Sequence, residues 1–209
     1  MNTQTIRNII REAVAIEKAS GNLATIIAQT AMLRGVQLSQ KQLQDTVIFI
    51  QQYIEHVPAL LDQLYSEVKK RSLANQVKPI LDAAEQYFLA PVDLIPDQYG
   101  LLGLVDDAYL ANTLIQEISN RYQDKKGNPI FPLDITKANM FIRGLFDVPT
   151  GMMLDAAVAN VLNGPTIQQS LQNLFNHASV FEMSQPDPIW GNASISEVVD
   201  AQLGAWGVV

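Results

Sequence analysis

A chain of 209 residues can bury a full-sized core, and with 48% hydrophobic but only 17% charged residues much of its surface must be hidden inside or against a partner. The absence of cysteine excludes disulfides, thiolate catalysis and cysteine-held zinc. No run of about 18 apolar residues marks a membrane span, and the first residues lack the apolar block of a signal peptide, so a cytoplasmic protein is expected.

Apolar residues recur at intervals of three and four along nearly the whole chain. Ile6, Ile9, Ile10, Ala13 and Val14 predict a first helix, and Leu23, Ile26, Ile27 and Ala31 a short second one between Gly21 and Gly35. Ser39 and Gln42 form a capping box for a third, striped by Leu43, Val47, Ile50 and Ile54. Pro58 suits the first turn of a new helix carrying Leu60, Leu61, Leu64 and Val68. The basic run Lys69-Lys70-Arg71 reads as its solvated end. Pro79 opens the next, with Ile80, Leu81, Ala84 and Phe88 inward.

After an irregular stretch, Ala108, Ala111, Leu114, Ile115, Ile118 and Tyr122 resume the helical spacing. The run 123-QDKKGNPIFP-132 breaks it. Shorter helices follow around Phe141 and Leu145, around Leu154, Val158 and Leu162, and around Ile167, Leu171 and Leu174, with Asn163-Gly164-Pro165 as a stop and restart. A final helix is expected behind the capping box of Ser194 and Glu197. Trp190 lies in the loop before it and is expected to pack, and the apolar tail 203-LGAWGVV-209 is expected to dock on the core.

Period-two alternation is missing, so the expected class is all-α: a multi-helix bundle with a central helical hairpin joined by a buried Pro/Asp/Gly-rich corner. The boundary expected from the polar break puts a helical domain at 1–123 and a C-terminal helical region at 124–209 packed on it. Net charge is −7, with nine Lys/Arg against six Asp/Glu over residues 1–78 and five against fifteen over 79–209. That acidic balance argues against a nucleic-acid partner. A weak echo links 103-GLVDDAYLANTLI-115 with 151-GMMLDAAVANVLN-163, without establishing a repeat.

The irregular stretch, 87-YFLAPVDLIPDQYGLLGLVDDAYL-110, carries Asp93, Asp97, Asp106 and Asp107 among apolar residues. Pro91 stops the preceding helix. Asp93 and Asp97 can each accept backbone amides of the short turns that follow them, and Asp106 offers an N-cap to a helix beginning at Asp107. Gly100 and Gly103 permit tight backbone paths. Val92, Leu94, Ile95, Leu101, Leu102 and Leu104 are too apolar for an exposed loop, so the aspartates are expected to satisfy backbone donors that burial would strand. The alternative is that the four carboxylates converge on a hard cation, Mg²⁺ or Ca²⁺, as the centre of a metal-dependent hydrolase.

The run Tyr87-Phe88, Ala90 through Asp97, Gly103 and Asp106-Asp107 resembles the YkvA-like bacterial domain of unknown function (domain family 1232), over residues 78–116. That resemblance implies a helical hairpin, an association of some members with membranes, and no established activity. One departure is Gly100, where the family usually has proline, which implies a looser turn.

His56 and His177 share no ligand spacing, and His56 reads as lying near a helix end. No phosphate loop or nucleophile elbow is present. The expected function is therefore that of a non-catalytic interaction or scaffold module, working through a protein partner or a second copy and possible at the inner face of the membrane.

Overall fold

The computed structural model describes residues 2–70, 72–89, 95, 97–127, 135–177, 204 and 206, and the side chains of Asp97, Gln98 and His177 lie outside that description. Among the described residues there are eight α-helices and one 3-10 helix, and no strand. The α-helices are α1 (Thr3–Ser20), α2 (Asn22–Leu33), α3 (Gln40–Lys70), α4 (Ala74–Tyr87), α5 (Val105–Lys126), α6 (Thr136–Leu145), α7 (Val148–Asn163) and α8 (Pro165–His177). The 3-10 helix spans Asp97–Leu104 and joins α4 to α5. The expected helix behind Ser194 and the loop around Trp190 lie outside the described residues.

Helix α5 is the axis. It packs against α3, α4, α6, α7 and α8, and Ala108, Ala111, Leu114, Ile115 and Ile118 are wholly buried along it. Helices α4 and α5 form the hairpin. Leu162, Ile167, Leu171 and Leu174 of α7 and α8 join the same contiguous core as Ile6 of α1 and Leu23 of α2. No helix among the described residues is long and apolar enough to cross a membrane.

Local signals end most helices where the sequence places the breaks. Ser39 and Gln42 make the reciprocal capping bonds, Ser39 N donating to Gln42 Oε1 at 2.8 Å and Gln42 N to Ser39 Oγ at 3.2 Å. Gly127, with φ of 86°, terminates α5 in the left-handed conformation. Helix α7 stops at Asn163 and α8 starts at Pro165.

The prolines behave otherwise. Pro58 does not begin a helix: α3 runs through it for 31 residues, roughly 46 Å at 1.5 Å per residue. A proline inside a helix costs about 3 kcal/mol through the lost backbone bond and the clash with the preceding turn. Tyr53, Ile54, Val57, Leu60 and Leu61, all at 0% exposure, flank it. Burying side chains of that size contributes about 1.5–3 kcal/mol each, which offsets the defect several times over. Pro79 is likewise internal to α4. The break falls instead at Ser72, a non-glycine residue with φ of 60°, where Leu73 N reaches back to Val68 O.

Because α3 is continuous, His56 lies in mid-helix and not near a helix end, and it is buried. Burial lowers its pKa from 6.5 to about 4. The imidazole is thus neutral in the folded chain, while the unfolded chain takes up a proton below pH 6.5. The stability due to neutral His56 is complete above pH 6.5 and is lost as pH falls towards 4. Replacing His56 by Leu should remove about 3 kcal/mol of the decline in unfolding free energy across that window. Urea titrations of both chains at pH 7, 5.5 and 4 measure the difference.

Candidate functional site

The candidate site is the corner between α4 and α5. Asp106 and Asp107 fall in the first turn of α5, where negative charge meets the positive end of the helix dipole, and both are buried. Asp106 is not the N-cap. The helix begins earlier, at Val105, with Leu104 in the capping position and no side-chain bond to the helix end. Freed from that role, the Asp106 carboxylate reaches across the corner, and its Oδ2 accepts the backbone N–H of Ile95 at 3.2 Å. A half-buried amide is satisfied, and the entering chain is tied to the first turn of α5.

Asp93 lies outside the described residues, and of Asp97 only the backbone, which opens the 3-10 helix, is described. The structure therefore brings Asp106 and Asp107 together at the buried mouth of the corner and leaves the other two carboxylates unplaced. Among the described residues no three Asp, Glu or His side chains gather in a metal-holding group.

Gly100 is the tightest point. Its backbone, at φ 71° and ψ −133°, is in a region that side chains rarely adopt, and it is buried. A Cβ there would stand 2.9 Å from Ile16 Cγ2 and 3.1 Å from the carbonyl oxygen of Ala13, both in α1. The turn is not loose at this position: α1 is laid directly on it, and the corner is the most extensive packing partner of α1. A proline, fixed near φ −65°, could not take that conformation.

Three further anchors surround the corner. Glu85, near the end of α4, is buried and accepts the N–H of Asn2, so the start of α1 is tied to the hairpin. Burial raises the Glu85 pKa above the ordinary value. Thr3 Oγ1 and Arg7 Nη2 both reach Asp62 of α3, at 2.9 and 3.0 Å. Glu17, in the last turn of α1, accepts Leu23 N with both carboxylate oxygens at 2.9 and 3.1 Å, and so caps α2. Between α1 and α3 lies a groove of about 230 Å³ lined by Arg7, Ile10, Arg11, Val14, Glu55 and Pro58. Arg7 is already held by Asp62.

One arrangement had no local sequence signal. Tyr109 of α5 donates to Asp155 Oδ1 of α7 at 2.8 Å, and Arg143 of α6 donates from Nε to both oxygens of Asp155 at 3.0 and 3.2 Å. Burial, then the bond to Asp155, pushes the Tyr109 pKa up to about 12. The Arg143 guanidinium rests against Gly151, where any side chain would collide with it. Deeper in, Tyr53 donates to Asn139 Oδ1 at 2.7 Å, and Gln116 Oε1 accepts Ile135 N at 3.0 Å. These bonds satisfy polar groups that α5 and its neighbours bury and fix how α6 and α7 seat on it.

Residues 83–112 match the family described as "Protein of unknown function (DUF1232)". The match covers the end of α4, the corner and the first turns of α5. No curated protein and no solved structure matches the chain.

Two substitutions test the corner. Asp106→Ala should lower the unfolding free energy by about 1–3 kcal/mol by stranding the Ile95 amide, and Asp106→Asn, which keeps an acceptor, by a smaller amount. Gly100→Ala should cost about 1–3 kcal/mol through the positive φ and the contact with α1. Chemical denaturation of the three variants beside the unaltered chain gives all the values.

Proposed function

We propose that this protein is a non-catalytic helical module that docks a protein partner on an apolar face made by the end of α2 and the start of α7. Support comes from one cluster of exposed apolar side chains. Met32 and Leu33 close α2 at 77% and 89% exposure, and Val148 and Met152, one turn apart on α7, are 70% and 63% exposed. Arg34 joins the two ends by donating from Nη2 to the carbonyl oxygen of Phe146 at 3.4 Å.

Single exposed apolar residues are ordinary on soluble proteins, but four large ones at two helix ends linked through Arg34 and the Phe146 carbonyl point to a docking role. Methionine suits it, because an unbranched, polarizable side chain adapts to a partner's shape. The corner enters this proposal as scaffold. Asp106 is engaged with a backbone amide, and the corner carries α1, which in turn caps α2 and sets where the face begins.

The test compares the unaltered chain with Leu33→Glu and Met152→Glu. Both positions are exposed, so thermal stability should stay within about 0.5 kcal/mol. Self-association by sizing with light scattering, or retention of a protein from a cell extract, should be lost in both variants. A chain that stays monomeric and retains nothing from the extract would remove the proposal. Flotation with anionic liposomes that both variants abolish would assign the face to a lipid surface instead. Calorimetric titration with Mg²⁺ and Ca²⁺ addresses the hydrolase alternative: binding that Asp106→Asn and Asp107→Asn abolish would move the function to the corner.

A further inference from the structure

Of the polar side chains that α5 carries into the core, Asn112 is the most deeply buried, at 0% exposure. Tyr109, one turn before it, and Gln116, one turn after it, are each answered by a neighbouring element. Asn112 is not. Neither its Oδ1 nor its Nδ2 meets a hydrogen-bonding group of the protein. A primary amide has two donors and two acceptor sites, and stranding them in a packed interior forfeits their hydration with nothing in return. Buried amides of folded proteins are bonded, to protein or to an internal water.

The group beside it is Tyr53 of α3. That side chain is wholly buried and gives its hydroxyl proton to Asn139 Oδ1 of α6 at 2.7 Å. Burial raises the Tyr53 pKa far above its ordinary value, the Asn112 amide draws it back down, and Tyr109 adds to the rise. Asn112 therefore lies close to the hydroxyl, although no direct bond of ordinary geometry joins the two. Close approach without direct bonding is the arrangement of a water-mediated pair. With its proton committed to Asn139, the Tyr53 oxygen can serve α5 only as an acceptor.

We infer that Asn112 and the Tyr53 hydroxyl hold one internal water between α3 and α5. The water accepts from Asn112 Nδ2, returns one hydrogen to Asn112 Oδ1 and donates the other to the Tyr53 oxygen. About three bonds is the usual complement of a buried water. The chemistry of the site selects this ligand. An amide and a second phenol are the neighbours that act on the Tyr53 hydroxyl, and neither is charged at neutral pH. An ion would find no countercharge there and would meet only the penalty of burial. The occupant must be neutral and must donate and accept at once. It must also be small, because Ile50 and Val57 around Tyr53, and Ala108 and Ile115 around Asn112, are all at 0% exposure. A water takes up only about 30 Å³. In that place it completes a polar chain from Asn139 of α6 through Tyr53 of α3 to the axis helix α5.

A high-resolution crystal structure of the unaltered full chain tests the site directly. It should show one isolated density peak within hydrogen-bonding distance of the Asn112 amide and the Tyr53 oxygen. In solution, the assigned side-chain amide protons of Asn112 should give cross-peaks to water with NOE and ROE of opposite sign, the mark of a long-lived internal water. Crystals of Asn112→Leu, which keeps the side-chain size and removes the amide, should lose the peak while the Tyr53 bond to Asn139 stays. An Asn112 amide bonded directly to protein with no peak beside it, or one without water cross-peaks, would overturn the inference. A peak that persists in Asn112→Leu would overturn it equally. Should that variant fail to fold, the two measurements on the unaltered chain still decide.

Discussion

Helix α1 can lie across the hairpin only because Gly100 has no side chain and a backbone turned to φ 71°. The approach brings the Ala13 carbonyl and Ile16 to a distance at which no Cβ fits. Once α1 is seated there, Glu85 holds its start, Asp62 its first turns and Glu17 the helix that follows it. The matched family segment ends up under a strap contributed by residues outside the match. Gly100 is the device that admits the strap. What reads as a loosened turn when the corner is considered alone is a contact surface when α1 is included.

The corner also explains why an axis helix as buried as α5 can open on two adjacent aspartates. Burying a carboxylate is costly unless its oxygens meet donors. The dipole of α5 and the Ile95 amide both answer that need for Asp106. Farther along, Tyr109 and Gln116 are met by Asp155 and by the Ile135 amide, each from a different neighbouring element. Apolar packing would let α6 and α7 slide along α5. Polar bonds of fixed length admit one register, so their main contribution is positional uniqueness.

How far the sequence can be read follows from the range of each signal. The capping box at Ser39, the left-handed stop at Gly127 and the Gly164-Pro165 restart act within four residues, and each was legible. The hairpin and its corner were legible because many residue types in fixed order specify them. Pro58 and Pro79 misled because a local defect was outweighed by burial that only the assembled core supplies. Asp106 misled by two residues: its type and neighbourhood announced a bond to a backbone amide, but which amide depended on where α5 begins. Tyr109, Asp155 and Arg143 lie on three helices, so nothing in the spacing of any one helix could join them. The echo between residues 103–115 and 151–163 joins segments that differ at their first residue, since Gly103 belongs to the 3-10 corner and Gly151 to a helix lying under Arg143.

The corner and the docking face are connected by a short series of positioned elements. Gly100 fixes α1, the last turn of α1 caps α2 through Glu17, and α2 is a rod of 12 residues, about 18 Å at 1.5 Å per residue. At its far end stand the exposed Leu33 and Arg34, whose guanidinium lies 5.4 Å from the centroid of the Trp206 ring. Helix α7 brings Val148 and Met152 from the other side, and its seating on α5 depends on Asp155. Both halves of the face are thus referred back to α5, one through the strap and one through the clasp. A face assembled from two helix ends needs such a common reference, because a displacement of a few ångströms at either end would separate Arg34 from the Phe146 carbonyl. The buried corner supplies it: Gly100 and Asp106 bear on the proposed face only through the helices they position.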